Sequence, residues 1–541
     1  MAVERLSDID NILSIVGDFG RSQIILLLLF CYINVLSAFH YFGQTIISVI
    51  PSYKCNYDGA LKNDSYLIVV EQCKALVWEN DEAVEKNCDA YTYDTKNIMG
   101  FTGIIQDMDW VCNNDWKAPV GQSLFFIGSV LGTLIFGYFS DKTGRVVVLI
   151  FANMLVVLGT LVTLASNNLL IFSAGRFLAG AATDTNFVMM YIIVLEYIRP
   201  SLRTLGLNLC IGIFYTLACM CVPWIAVALK SWKLFLIFVA TPHMLVLLFY
   251  YVVPESAQWL MSKGKIEKAI ECYKRIAKSN GKTLSDDVIS SIKSYGSNMP
   301  RNQKQENFLG LLRTPNLRRK TLILIFKSMV MTLCYDTISR NINGLGYSPF
   351  IIFSMSSSTI LPSCLLITSI QDKIGRKALA SGFLFISAIC TSASGLVQSL
   401  TAKPGAPLIL VLAILARLSI NITYNSGAQY AVELIPTVVR GQGVSFVHVA
   451  GYAATFFSPH ILYMAEFWKP APEIILAVLL VCGAIACLFL PETLNRTLPV
   501  SLDDGEKFGE DEQFFDFIFC GGSITESTIQ LNPGGQLNSY M

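Results

Sequence analysis

Charge is what this sequence has little of: Asp, Glu, Lys and Arg make up 15% of its 541 residues, against roughly 25% in ordinary soluble domains. Hydrophobic residues make up 53%. So few charges cannot keep a large surface wetted, which excludes a soluble enzyme and points to lipid as the solvent. Histidine is scarce as well, with only His40, His243, His448 and His460 scattered along the apolar stretches. Neither a catalytic cluster nor a metal site is expected from them, and no cofactor is implied. No Gly-x-x-x-x-Gly-Lys-Ser/Thr phosphate loop is present, so nucleotide hydrolysis is not an expected energy source. A formal net charge of +1 leaves no basic face for a nucleic acid.

Long uncharged runs take the place of the missing charge. A spanning helix needs about 20 largely apolar residues, and segments 22–53, 118–140, 146–175, 204–229, 234–254, 341–371, 378–402, 441–465 and 474–491 contain no Asp, Glu, Lys or Arg. Three further spans carry isolated charges: 171–195 with Arg176 and Asp184, 321–339 with Lys327 and Asp336, and 406–432 with Arg417. Together they predict an all-α membrane protein of twelve spanning helices. The first run is too long for a cleaved signal peptide and is read as helix 1.

Charge asymmetry between alternate loops sets the orientation. Lys142, Arg145, Arg199, Arg203, the basic segment 255–320, Lys373, Arg376, Lys377 and Arg440 fall on one side, while the opposite short loops hold few cations. By the positive-inside rule the first side, with both termini, is cytoplasmic. Cys55, Cys73, Cys88 and Cys112 all lie in the loop between helices 1 and 2, which that rule places outside. An even count there predicts two disulfides, with three connectivities open. The same loop carries a glycosylation sequon at Asn63.

A duplication organises the rest. After helix 2 the chain reads Asp141-Lys-Thr-Gly144-Arg145, and after helix 8 it reads Asp372-Lys-Ile-Gly375-Arg376. Glu196 is followed seven residues on by Arg203, and Glu433 likewise by Arg440. Pro254-Glu255-Ser256 and Pro491-Glu492-Thr493 each begin 51 residues beyond that arginine. Four landmarks in matched order predict two homologous six-helix halves: 22–254, with an extracellular loop at 54–117, and 321–491. They are joined by a cytoplasmic linker, 255–320, and flanked by cytoplasmic ends at 1–21 and 492–541. Duplicated halves that rock about a central site are a transport architecture. Asp141, Arg145, Glu196, Arg203, Asp372, Arg376, Glu433 and Arg440 are therefore read as an inner gate of ion pairs made in one state and broken in the other.

The repeated Asp-Lys-x-Gly-Arg loop resembles the signature of the major facilitator superfamily. Gly17-Asp-Phe-Gly20, Trp110-Val-Cys112 through Trp116, Pro254-Glu-Ser-Ala-Gln-Trp259 and Tyr430-Ala-Val-Glu433-Leu-Ile-Pro436 through Arg440 are similar to motifs of the organic cation, anion and zwitterion transporters of the solute carriers. That resemblance implies a plasma-membrane carrier of small organic solutes, working by alternating access as a monomer.

Ionisable groups inside a bilayer are costly and suggest function. Asp184, mid-helix 4, is the leading site for a substrate ammonium. Asp336 is either a second such group or the partner of Arg340 one turn on, and Arg340 is then a candidate for a substrate carboxylate. Lys327, near the inner end of helix 7, is expected to snorkel. Aromatic faces attract ammonium ions by roughly 0.5–2 kcal/mol, which nominates Tyr41, Phe187, Tyr191, Tyr335, Tyr424 and Tyr452. The resemblance implies pocket positions at Tyr41, Phe187 and Tyr335, but this chain has Tyr452 where cation carriers have an acid, and Ile360 where some have a second. At Asp184, cation-selective members often have lysine. A cation or zwitterion carrier is the reading, with an organic anion carrier and a non-transporting receptor as alternatives. The linker stretch from Ile266 has apolar residues three and four apart, predicting an amphipathic helix whose cations meet lipid headgroups. The acidic tail from Ser501 is expected to be mostly disordered.

Overall fold

The computed structural model describes residues 13, 15–17, 20–56, 68–71, 73–79, 82–88, 90–198, 210–298, 308–341, 347–371, 373–400, 407–494, 496, 498–510 and 512. Arg203, Asp372 and Asn63 lie outside them.

Uncharged runs become helices because a backbone in hydrocarbon must satisfy its own hydrogen bonds. Eleven helices are long and apolar enough to cross a membrane, and the protein is a multi-pass membrane protein. The first half contributes α1 (Arg21–Ile47), α2 (Lys117–Thr143), α3 (Arg145–Leu164), α4 (Leu169–Tyr197), α5 (Ile211–Leu229) and α6 (Trp232–Val252). The second contributes α7 (Pro315–Arg340), α8 (Pro349–Ile370), α9 (Arg376–Leu400) and α10 (Pro407–Leu434), and ends with α12 (Ala471–Leu488). The eleventh expected span is present but interrupted. Here α11 runs Arg440–Ala454, tightens into a 3-10 turn at Thr455–Phe457 and resumes at Ser458–Tyr463. Pro459 has no N–H for a helical bond to the Thr455 carbonyl, and the Thr455 hydroxyl donates to the Tyr452 carbonyl at 2.6 Å.

Small residues let the helices of each half close up. A Cβ on Gly132 of α2 would collide with the Ala181 carbonyl of α4, so that crossing needs glycine, as membrane helix pairs often do. Large apolar side chains such as Leu28, Leu134, Phe151, Leu234 and Leu396 stay exposed on the outer faces of the bundle, where hydrocarbon covers them.

The loop between α1 and α2 folds into antiparallel strands. β1 (Ser52–Asn56) pairs with β5 (Ala90–Asp94), and β2 (Ile68–Glu71), β3 (Lys74–Glu79) and β4 (Glu82–Asn87) form a three-stranded sheet. Disulfides join Cys55 to Cys88 and Cys73 to Cys112, one of the three connectivities left open. The loop is tied to the start of α6 through Asp107, which pairs with Lys233 at 2.9 Å and accepts the Trp232 indole N–H at 3.2 Å.

The linker and part of the tail build up the opposite side. The amphipathic linker helix Ile266–Ser279 turns its apolar face, Ala269, Ile270, Tyr273, Ile276 and Ala277, into the first half's core. Asn280, just beyond it, accepts from the Ser22 amide at 3.0 Å and donates to the Val16 carbonyl at 3.2 Å. The periodicity showed an apolar stripe, and the partner of that stripe is the protein's own inner end. Tail residues 498–510 are ordered, with a short capped helix at Leu502–Lys507. Glu506 accepts from the Asn316 and Leu317 amides at 2.9 and 2.7 Å, and so caps α7 from outside. Lys320 returns the contact, donating to the carbonyls of Gly505, Glu506 and Phe508. Here the acid is a cap for a helix start.

Desolvation pushes the Glu506 carboxyl up, but the bonds from the Asn316 and Leu317 amides and the nearby Lys320 ammonium outweigh it, so the group sits below the usual glutamate range. A depressed carboxylate stabilises the strap fully above the unfolded glutamate pKa of about 4.3, and that contribution fades as pH falls through the lower folded value. E506Q at neutral pH should speed amide exchange at Asn316 and Leu317 about fivefold, the loss of one cap. Unchanged exchange by mass spectrometry would mean the strap does not hold α7.

Candidate functional site

On the linker side each half builds the same collar. In the first, the Glu255 carboxylate accepts the backbone N–H of Arg145 at 2.8 Å and of Val146 at 3.2 Å, capping the start of α3. In the second, Glu492 does the same for Arg376 at 2.8 Å and Lys377 at 3.1 Å at the start of α9. Gly144 sits at φ 109°, and a Cβ there would collide with that carboxylate, which explains glycine in both loops. Arg145 reaches back to the Ser140 carbonyl at 2.8 Å and pairs with Asp141 at 2.9 Å. Arg376 reaches the Gln371 carbonyl at 2.7 Å and pairs with Glu433 at 3.2 Å. Ser256 donates to Glu196 and Thr493 to Glu433, while the Tyr197 and Tyr430 hydroxyls reach the Glu255 and Pro491 carbonyls.

Arg440 donates to the Ile435 carbonyl at 3.2 Å. The pairs made by Arg145 and Arg376 lie within a half rather than between halves. Lys327 does not snorkel: it is 1% exposed and donates to the Gly427 carbonyl of α10 at 2.9 Å, because position 327 faces the second half's interior.

At mid-depth a different group assembles. Asp184 of α4 is half-buried, and its hydrogen bond comes from the Ser129 hydroxyl of α2. It lies within electrostatic reach of Tyr41, Tyr424 and Tyr452. Tyr335 and Tyr424 bring their rings to 4.7 Å, and the Arg417 guanidinium lies 4.1 Å from the centre of the Tyr335 ring. One turn and two turns on from Asp184, Phe187 and Tyr191 stack at 5.8 Å and extend the aromatic face toward the linker side. Arg176 is no partner for Asp184, since it donates to the Thr163 hydroxyl at 2.8 Å.

Burial separates the nine expected site residues into two classes. Tyr41, Asp184, Phe187, Tyr191, Tyr335, Tyr424 and Tyr452 are half-buried inside the bundle, as cavity walls are. Asp336 and Arg340 are 0% and 2% exposed. They pair with each other at 2.8 Å, the Tyr41 hydroxyl donates to Asp336 at 2.6 Å, and Arg340 donates to the Thr45 hydroxyl and the Tyr41 carbonyl. These bonds cross from α7 to α1, so the pair belongs to a closure between halves. The Tyr463 hydroxyl donates to Asp115 at 2.8 Å, Ser123 to the Phe456 carbonyl at 2.8 Å, and Ser354 to the Met220 carbonyl at 3.2 Å. The hydrogen bonds found between halves among the described residues thus lie on the disulfide-loop side or at mid-depth. Toward the linker the apolar cores separate into one for the first half with the linker and one for the second half with the tail.

Sugar (and other) transporters match this chain over residues 56–500. The chain belongs to that family. It is a membrane transporter, with the major facilitator fold, and not an enzyme. It is 27% identical over 530 residues to an organic cation transporter protein of Drosophila melanogaster, covering 93% of this chain and 95% of the other. It is 28% identical to mouse solute carrier family 22 member 3, covering 93% and 96%. Among solved structures, the inward-open conformation of the xylose transporter XylE from E. coli aligns with a TM-score of 0.60 at 18% identity, covering 89% of this chain and 99% of that one. Several groups of this transporter were not singled out from its sequence. Glu255 and Glu492 were visible as repeated Pro-Glu-Ser/Thr motifs but had no assigned partner, whereas Ser129, Thr45 and the Asp115–Tyr463 bond offered no pattern.

Proposed function

We propose that this transporter carries small organic cations, zwitterions with an amine included, by alternating access, with Asp184 as the counter-charge to the ammonium. The observation that carries this is an acid on the cavity wall that has only a serine hydroxyl as hydrogen-bond partner among the described residues and stands among tyrosines whose rings suit a cation. Arg417, the cation nearest those tyrosines, is 2% exposed and bonded to the Tyr335 carbonyl at 3.0 Å. The charge presented to the cavity is therefore negative, which favours cations over anions. The names of the relatives support the same substrate class.

Alternate-loop charge and the disulfides on the opposite face support a plasma-membrane orientation with the linker and tail in the cytosol. The described conformation is then inward-facing. The collars on Asp141, Arg145, Glu196, Arg376 and Glu433 hold each half rigid as it turns, and are placed to meet across the inner mouth when it shuts. The test is uptake into proteoliposomes. A radiolabelled tetraalkylammonium should enter saturably and be competed by amines but not by benzoate-type anions. Competition by anions alone would overturn the cation reading, and binding without flux would overturn transport.

A further inference from the structure

On the linker side of the second half, the first turns of α7 and the end of α12 enclose a groove of about 450 Å³, lined by Pro315, Arg318, Arg319, Leu322, Ile323 and Phe489. Its two ends differ in chemistry. At one, Arg318 and Arg319 are both exposed and form no salt bridge with an acid among the described residues. The Arg319 guanidinium lies 5.4 Å from the centre of the Phe489 ring. Their neighbour Lys320 is unlike them, because its ammonium is bonded to three tail carbonyls. At the other end Leu322 and Phe489 are 53% and 41% exposed. From Arg319 to Leu322 is under one helical turn, about 5 Å of depth, so the cations and the apolar wall sit at successive levels across a membrane boundary.

We propose that this groove binds an anionic phospholipid of the cytosolic leaflet. Its phosphate sits between Arg318 and Arg319, and an acyl chain lies along Leu322, Ile323 and Phe489. The inference rests on the orientation proposed above. Basic pockets between helices at that leaflet take acidic headgroups, and guanidinium forks match phosphate oxygens. A soluble phosphate would leave the apolar wall uncovered. Through Arg319 and Phe489 the groove is continuous with a deeper cavity of about 360 Å³. On its far wall Glu510 accepts from Asn316 at 3.1 Å, and Glu512 accepts the Glu492 amide at 2.8 Å. Those carboxylates keep the lipid phosphate at the mouth. A lipid seated there bridges α7 to α12 beside the collar glutamate Glu492, so it would steady the second half where the two halves are parted.

The test uses the full-length protein in mild detergent, with lipid retention measured by native mass spectrometry against phosphatidylserine, phosphatidylcholine and a soluble inositol phosphate. Wild type should retain phosphatidylserine in preference to phosphatidylcholine and bind the soluble headgroup weakly. Each cation near a membrane surface is worth about fivefold in retention, so R318Q/R319Q should lose roughly 25-fold. F489A, which keeps every charge, should also lose retention. It supplies the reading should the double variant fail to give a folded peak on size exclusion. Undiminished retention in a folded variant, equal retention of phosphatidylcholine, or soluble headgroup binding as tight as the lipid would each overturn the proposal.

Discussion

D184N is expected to weaken the affinity for a permanently charged amine by about 30-fold or more, the effect of removing one member of a desolvated charge pair. The change is nearly isosteric, so the Ser129 bond can persist through the amide oxygen and the helix packing should be kept. Affinity of neutral analogues should change far less, because aromatic walls from Tyr41, Tyr335, Tyr424 and Tyr452 remain. S129A is the companion variant. It removes the hydrogen-bond partner of Asp184 among the described residues and should alter amine affinity by only a few-fold, since it leaves the charge in place. The measurement is concentration-dependent uptake of a tetraalkylammonium beside a neutral competitor. Equal losses for both would mean that Asp184 maintains structure, and unchanged amine uptake would remove it from the site.

R340A carries the second large effect, on stability and on the closure above the site. Asp336 would be left with its carboxylate fully buried and without its cation, a situation that typically costs about 3–5 kcal/mol. The double variant D336N/R340A should be less unstable than R340A alone, because a neutral amide replaces the stranded charge. Tyr41 also loses a cation 4.9 Å from its ring centre, and α1 loses the bond at Thr45. Unfolding in micelles titrated with denaturing detergent gives the comparison. If R340A proved no less stable than the double variant, the two residues would not be coupled and the closure would need another explanation.

The architecture was legible because hydrophobic length and repeated landmarks are local in sequence. Asp141 through Arg145 and its copy announced two halves without any tertiary information. The site was legible only in its members. Asp184 and the tyrosines stood out as polar groups in apolar runs, yet hydropathy says nothing about which of them share a space. Asp336 shows the limit: its spacing to Arg340 allowed a helix-internal pair, but the bonds from Tyr41 and to Thr45 come from a helix almost 300 residues away in the chain. The collar glutamates were hidden for a similar reason, since Glu255 closes on backbone amides 110 and 109 residues earlier. The docking of residues 502–508 was not legible either, because acidic composition is a statement about the average, and one glutamate placed over a helix start is enough to fasten a segment.

Among the described residues, linker segment 256–298 packs on the first half, while Leu311 and tail residues 502–508 pack on the second. Asn280 and Tyr273 finish one body, Leu502 and Glu506 the other. Each half thus carries its own clasp on that side, while a core shared by both halves, with Phe42 and Phe235 beside Phe350 and Phe353, lies away from it. Synthesis can complete the first unit before the second emerges, and the covalent joint then serves mainly to keep two finished pieces at high local concentration.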